Sequence, residues 1–261
     1  SFQDTSWKQV SYNISHVADG KSTVCIRWNL GPTDGSVTYS GWNIDDIEIL
    51  VAAAHPGFTI GLYDSDELNV FYHMGIARKS IKGIDPSFSG VDYQIPAVVR
   101  VGNGYGNAYY DGRGLNFGEG DGIIFRNMAQ FADVIYHEFA HAVTHNIYPD
   151  DLLPYSGETG AMDEAWSDYF ACTITNEPMI GEGGLVIAGP WLRNMDNQLS
   201  VPDDIVLEVH DDGRIIGAGL WSLRTLLGKG LADHLIHFAR FFLAGSFADY
   251  YEDLLVTDDN D

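Results

Sequence analysis

The first 50 residues alternate between apolar and polar positions, as β-strands with one buried face do. The alternation runs through WKQVSYNI, STVCIRWNL and GWNIDDIEIL, which are separated by the turn-rich stretches ADGK and GPTDGS. Three strands make only part of a sandwich, because so small a sheet cannot bury both of its faces. We therefore expect residues 1–52 to be the C-terminal part of a truncated β-sandwich and residues 53–261 to form a second domain.

The pattern changes at Asp64, where acidic residues open a segment with a helical apolar face. Strand-like stretches follow in YQIPAVVRV and NAYY, and the chain beyond Arg126 is mostly helical in period. One apolar face there is formed by Met128, Phe131, Ile135, Phe139 and Ala142. This spacing predicts a helix over about 128–147, and similar spacing predicts helices over about 161–174, 215–227 and 231–243. Strands first and helices second indicate an α+β fold.

Composition narrows the possible partners. The chain has 37 acidic and 14 basic residues and a formal net charge of −23, which argues against nucleic acid and anionic membranes as partners. No apolar run is long enough to span a bilayer, and the N-terminus does not have the pattern of a signal peptide. Cys25 and Cys172 lie far apart and indicate no disulfide framework.

The segment HEFAHAVTH, residues 137–145, is the strongest chemical signal in the chain. His137 and His141 lie one helical turn apart, so both imidazoles can face one metal ion, and Glu138 stands beside them as a base. The alternative is an amphipathic helix that carries polar histidines. His145 continues the stripe, but the metzincin pattern would require glycine at 144 and histidine at 147. We therefore expect His145 to be a surface or core residue.

A second acidic pair follows in GAMDEAWSDYFA. Glu164 and Asp168 lie four residues apart on one helical face, in an otherwise apolar run where unpaired carboxylates would be costly. Glu164 can supply the third protein ligand that zinc hydrolases need. Asp168 can accept the outer N–H of a ligand histidine and so fix its tautomer.

HEFAH followed by E-x-x-x-D resembles the gluzincin metallopeptidases, specifically the thermolysin and fungalysin families. The similarity extends over roughly residues 60–257 and includes NAYYDGRGLNFGEGDG, LRNM and EVHDDGRIIGAGLWSLR. It implies a thermolysin-like fold, and it implies zinc bound by His137, His141 and Glu164 with Glu138 as general base. It further implies oxyanion donors at Tyr155 and His210, and substrate contacts at Asn107, Arg193, Val134 and Leu192. Residues 1–52 are similar to the end of the jelly-roll modules found beside secreted bacterial enzymes.

The chain departs from these families at one position, and the resemblance has one further implication. The families orient the late histidine with an aspartate five residues earlier, where this chain has Ile205; Asp203 or Asp204 could substitute. The resemblance also implies a calcium site, because Asp133 and Glu182 are similar to positions where the thermolysin family binds this ion, with Glu177 as a third candidate.

The resulting expectation is a secreted zinc endopeptidase that acts on proteins or peptides and prefers an apolar residue after the scissile bond. An aminopeptidase of the same clan is one alternative, although the acidic motif that captures a free amine is not found. A catalytically inactive secreted binding or adhesion module is another. The chain end, DDND, has the appearance of a cut within a loop.

Overall fold

The computed structural model describes residues 65–148, 152–186 and 189–258. The chain divides into two units, Ser1–Leu62 and Tyr63–Asp261, and the described residues belong to the second. The partial β-sandwich predicted for residues 1–52 lies outside the described residues. Within them, none of the helices combines the length and apolar character needed to cross a bilayer.

Six α-helices form most of the described unit. They are α1 (Ser65–Ile84), α2 (Ala132–His145), α3 (Gly157–Thr175), α4 (Val209–Leu227), α5 (Lys229–Ala239) and α6 (Phe247–Asp258). Two short 3-10 turns occur at Met128–Gln130, before α2, and at Arg240–Phe242, after α5.

Short strands lie between α1 and α2, in agreement with the α+β prediction. They are β1 (Ala97–Val101), β2 (Ala108–Tyr110) and β3 (Leu115–Gly118). The central strand β3 pairs parallel with β1 and antiparallel with β2, so β2 is an edge strand. A Cβ at Gly118, the last residue of β3, would lie 2.1 Å from the Tyr105 carbonyl oxygen, so the close approach of these two backbone segments requires glycine. A second, two-stranded ribbon joins β4 (Met179–Ile180) to β5 (Arg193–Asn194).

Helix α3 is central to the apolar core. Its Trp166 is fully buried, stacks on Tyr148 and meets Tyr250 edge to face. On its other side, α3 approaches α4 so closely that a Cβ at Gly213 would lie 2.9 Å from the Ala161 carbonyl oxygen. The small residue therefore allows α4 to bring its N-terminus to the polar side of α3.

Several helix boundaries differ from those expected. The helix predicted from residue 161 begins at Gly157, and the helix predicted over 231–243 covers Lys229–Ala239. The helix predicted from residue 128 begins at Ala132, because Phe131 is extended (φ −106°, ψ 117°) and the Asn127 side chain caps a separate 3-10 turn. The helix predicted from residue 215 begins at Val209. Its first turn contains the polar stretch HDDGR, which has no apolar period, and Glu208 accepts a hydrogen bond from the Asp211 backbone N–H as its cap.

Candidate metal centre

Helices α2 and α3 bring three potential ligands together. His137 and His141 lie on consecutive turns of α2, and their Nε2 atoms are 3.0 Å apart. Glu164 of α3 places Oε2 3.4 Å from His137 Nε2 and Oε1 3.4 Å from His141 Nε2. Among the described residues, this is the group of His, Cys, Asp and Glu side chains whose ligand atoms all lie within 4.8 Å of one another.

The outer nitrogens of both histidines face carboxylates. His137 Nδ1 lies 2.7 Å from Asp168 Oδ1, as the sequence predicts, and His141 Nδ1 lies 3.1 Å from Asp163 Oδ2. A ring nitrogen that donates to a carboxylate leaves the lone pair on the other nitrogen. Both lone pairs therefore lie on Nε2, on the side where Glu164 stands, and two imidazoles with one carboxylate form a donor set that suits zinc.

The charge balance of this region also fits a cation. Glu164 is buried, and its Oε2 has no hydrogen-bond donor within the described part of the chain. Burial lowers the pKa of His137, but Glu164 and Asp168 outweigh it and raise this pKa to about 9. The excess of carboxylates thus favours a positive charge in the cluster. Without a metal ion, protonated histidines provide that charge, and a divalent cation would replace those protons.

Glu138 lies beside the ligands without joining them. It is 4% exposed, and its Oε2 is buried with no hydrogen-bond partner in the described chain. Burial raises the pKa of this carboxyl above its usual value, partly offset by His137 and His141. A desolvated carboxylate with a free oxygen can accept a proton from a group in the cleft.

The cluster opens into a cleft of about 910 Å³. Ten residues named from the sequence line this one cleft: Asn107, Val134, His137, Glu138, His141, Tyr155, Glu164, Leu192, Arg193 and His210. Asp168 lies behind His137. The residues come from α2, α3, α4, β5 and the adjoining loops, with Asn107 directly before β2, so tertiary packing unites segments that are far apart in the chain.

Two possible oxyanion donors, Tyr155 and His210, lie close together beside Glu164. The Tyr155 hydroxyl donates to Glu164 Oε1 and lies 3.4 Å from His210 Nε2. His210 Nε2 in turn lies 3.5 Å from Glu164 Oε1. Both side chains therefore lie next to the same oxygen of Glu164.

Glu208 orients His210 in place of the aspartate expected five residues earlier. Its Oε1 lies 2.8 Å from His210 Nδ1, while its Oε2 accepts the Asp211 N–H. Of the substitutes proposed from the sequence, Asp204 accepts the Ser200 backbone N–H instead, and Asp203 is exposed. The contact to His210 Nδ1 thus comes from Glu208, where the sequence had left Asp203 and Asp204 as candidates.

Arg193 makes a contact that the sequence did not predict. Its guanidinium donates to Asp168 from Nε at 2.7 Å and from a terminal nitrogen at 2.6 Å. This bidentate pair lowers the pKa of Asp168 below its usual value against the effect of burial. Arg193 therefore fixes the carboxylate that fixes His137.

The residues expected to bind calcium are not gathered into such a group. Asp133 accepts the backbone N–H groups of Val134, at 2.9 Å, and Gly181, at 2.5 Å. Glu177 and Glu182 are exposed. The Asp133 carboxylate ties α2 to the chain after β4, a role that its spacing from His137 does not reveal. His145 is exposed, contacts the Tyr110 ring and stays outside the ligand group, as predicted.

Asp163 and Glu208 are the two contributors that sequence reasoning missed. Each has a weak signal, because Asp163 directly precedes Glu164 and Glu208 lies two residues before His210. Neither spacing identifies a partner, since the contacts depend on how neighbouring helices and the α4 cap are oriented.

Comparisons with known proteins agree with this geometry. The family model described as the thermolysin metallopeptidase catalytic domain matches residues 62–145. Thermolysin of Alicyclobacillus acidocaldarius subsp. acidocaldarius is 32% identical over 179 residues, which are 65% of this chain and 32% of that protein. Thermostable neutral protease NprT of Geobacillus stearothermophilus is 34% identical over 151 residues, 54% of this chain and 27% of that protein. The chain thus spans about a third of the length of these relatives.

A solved structure extends the likeness to the fold. The precursor of protealysin, a metalloproteinase from Serratia proteamaculans, superposes with a TM-score of 0.68 at 21% identity, covering 77% of this chain and 74% of that one. At this identity the match speaks for the fold alone. Together with the matched sequence segment and the His-His-Glu group, it shows that this chain resembles the thermolysin-type zinc metallopeptidases.

Proposed function

We propose that this protein is a zinc-dependent endopeptidase. The observation that carries the proposal is the convergence of His137, His141 and Glu164 beside a buried Glu138, at the wall of an open cleft. These three side chains would hold a zinc ion, which would supply Lewis acidity towards a peptide carbonyl and a water molecule.

Glu138 is the general base in this proposal. Its buried carboxylate has one oxygen without a partner in the described chain, so it is available to take a proton from the attacking water. The same carboxyl then delivers the proton to the leaving nitrogen as the peptide bond breaks. Burial raises the pKa of this carboxyl, and a more basic carboxylate accepts the proton more readily.

Tyr155 and His210 stabilise the oxyanion that develops on the carbonyl. The Tyr155 hydroxyl, which donates to Glu164 Oε1 in this structure, would turn from that carboxylate to the oxyanion, and it lies 3.4 Å from His210 Nε2, the second donor. In its doubly protonated form, His210 donates from Nδ1 to Glu208 and from Nε2 into the cleft. Each such donor is worth about 10² to 10³ in rate at comparable sites.

The cleft also has features that suit an extended peptide. Asn107 is exposed at the start of the edge strand β2, where its side chain can hold a substrate main chain. Apolar side chains on the cleft wall include Val134 and Leu192, next to Ile180 and Met128. This wall supports a preference for an apolar residue directly after the scissile bond. Arg193 contributes by holding Asp168, and its cleft-facing position is compatible with a contact to a substrate carbonyl.

The substrates of this proposal are proteins or peptides, and a secreted location remains a prediction. The net charge of −23 disfavours polyanionic partners. The two alternatives, an aminopeptidase and an inert binding module, have no supporting contact in the described cleft.

Three measurements on the full 261-residue chain test the proposal: zinc content, casein hydrolysis, and cleavage of one peptide with a free or an acetylated N-terminus. We expect about one zinc per chain and cleavage of both peptides. Glu138→Gln should keep the zinc and lose activity by about 10² to 10⁴-fold, since only the proton transfer is removed. Asp196→Asn, which removes an exposed charge outside the cleft, is the matched control.

The alternatives give different results. Cleavage of the free peptide alone would identify an aminopeptidase. Zinc-loaded protein that hydrolyses neither peptide nor casein, in wild type and Glu138→Gln alike, would identify an inert module and refute the endopeptidase.

A further inference from the structure

Asp163 stands out because nothing in the proposed chemistry uses it, yet it contacts a candidate ligand. Its Oδ2 lies 3.1 Å from His141 Nδ1, and its side chain is 17% exposed. It occupies the position directly before Glu164 on α3, so one short segment of the helix approaches the ligand group with two successive carboxylates.

The carboxylate of Asp163 makes its close contact with His141, although its charge also reaches the buried Arg240 guanidinium and Tyr155. Within the described residues, no Lys or Arg nitrogen is paired with it, and its Oδ1 is buried without a hydrogen-bond partner. Asp168, the corresponding partner of His137, shares its charge with the bidentate Arg193. The two histidines therefore have different surroundings, although each has a carboxylate at Nδ1.

We propose that Asp163 is a positioning residue for the metal: it fixes the His141 ring with Nε2 towards the ligand group and makes that nitrogen a stronger donor. The physical reason is that a carboxylate accepting Nδ1–H sets the tautomer and increases the electron density on the other ring nitrogen. A carboxylate that has no guanidinium hydrogen-bonded to it has more of this effect than one in a bidentate pair, as Asp168 is with Arg193. The inference rests on the zinc site of the proposed function but not on peptide hydrolysis.

The test is zinc affinity, measured by competition with a chelating indicator of known affinity. Asp163→Ala removes both the acceptor and the charge, and we expect zinc binding to weaken about 10 to 100-fold. Asp163→Asn keeps an oxygen that can accept Nδ1–H and loses only the charge, so its affinity should fall between wild type and Asp163→Ala. Asp196→Asn again provides the control, because it removes one negative charge from an exposed position.

Cobalt substitution gives a second readout that a merely structural residue would not change. The visible absorption of bound Co²⁺ depends on its ligands, so it should shift in both Asp163 variants and not in Asp196→Asn. If Asp163→Ala does not fold, Asp163→Asn alone decides the question.

The outcomes separate this inference from the proposed function. Unchanged zinc affinity and an unchanged cobalt spectrum in Asp163→Asn, and in Asp163→Ala where it folds, would overturn the role of Asp163. A wild-type protein that binds zinc but cleaves nothing would overturn the endopeptidase and leave the Asp163 result standing. A wild-type protein that binds no zinc would overturn both.

Discussion

His237 on α5 provides a test of the fold that is independent of the metal centre. The side chain is fully buried, and its Nδ1 accepts a hydrogen bond of 2.6 Å from Arg240. Its Nε2 lies 3.5 Å from Asp85 Oδ2. Burial and the Arg240 charge lower the pKa of His237 to about 3 from its usual 6.5, and Asp85 opposes them only in part.

The sign of the pH effect follows from this depressed pKa. Unfolded chains take up a proton on this histidine below pH 6.5, whereas folded ones do so only near pH 3. The unfolded state therefore binds more protons in that window, and the free energy of unfolding falls as the pH falls through it. With about 1.4 kcal/mol for each pH unit, lowering the pH from 7 to 5 costs about 2 kcal/mol through this residue.

Urea unfolding at pH 7 and pH 5 measures this contribution when wild type is compared with His237→Gln. Glutamine retains an oxygen that can accept from Arg240 but does not titrate, so the variant should be destabilised at pH 7 and lose about 2 kcal/mol less than wild type on acidification. Titrating groups away from His237, including the metal ligands, contribute to both proteins and cancel in the difference. Asp85 touches His237, so Asp85→Asn in both backgrounds separates its own contribution. An equal loss in the two proteins would mean that His237 titrates normally in the folded state and would refute the reasoning.

Two further substitutions test the site and the core. Glu208→Ala removes the acceptor at His210 Nδ1 and the α4 cap. We therefore expect kcat to fall about 10-fold or more and the free energy of unfolding to fall by about 1 kcal/mol. Glu208→Gln should retain the cap, and equal kcat in wild type and Glu208→Ala would contradict the orienting role. Trp166→Ala removes a fully buried ring between Tyr148 and Tyr250. The free energy of unfolding measured with urea should fall by about 3 to 5 kcal/mol, and by less in Trp166→Phe. A decrease under about 1 kcal/mol in Trp166→Ala would show that this part of the core is not closely packed.

The placement of the ligands was predictable because it depends on helical geometry. Residues four apart share a helix face, so the spacing of His137 and His141 places them side by side, and Glu164 and Asp168 follow the same rule on α3. The helical unit and its α+β class were predictable for a similar reason, since the apolar periods are long. The exact start of α2 was not, because one extended residue, Phe131, interrupts an otherwise continuous period.

Contacts between elements were much less predictable. Asp163 reaches His141 only because α2 and α3 pack at this particular rotation, and Glu208 reaches His210 only because it also closes the first turn of α4. Calcium binding by Asp133, Glu177 and Glu182 stays a prediction for the same reason. Acidic side chains such as Asp133 look alike in sequence whether they bind an ion or accept backbone N–H groups, as Asp133 does.

Because α2 and α3 both contribute to one ligand group, the stability of the fold depends on the free zinc concentration. A bound ion connects the two helices and offsets the repulsion between the carboxylates that lie between them. Zinc occupancy and folding are therefore linked by mass action. A free zinc concentration a hundredfold above the dissociation constant adds about 2.7 kcal/mol to the free energy of unfolding. Resistance to heat would then vary with the zinc supply of the medium, even where the supply far exceeds what full activity needs.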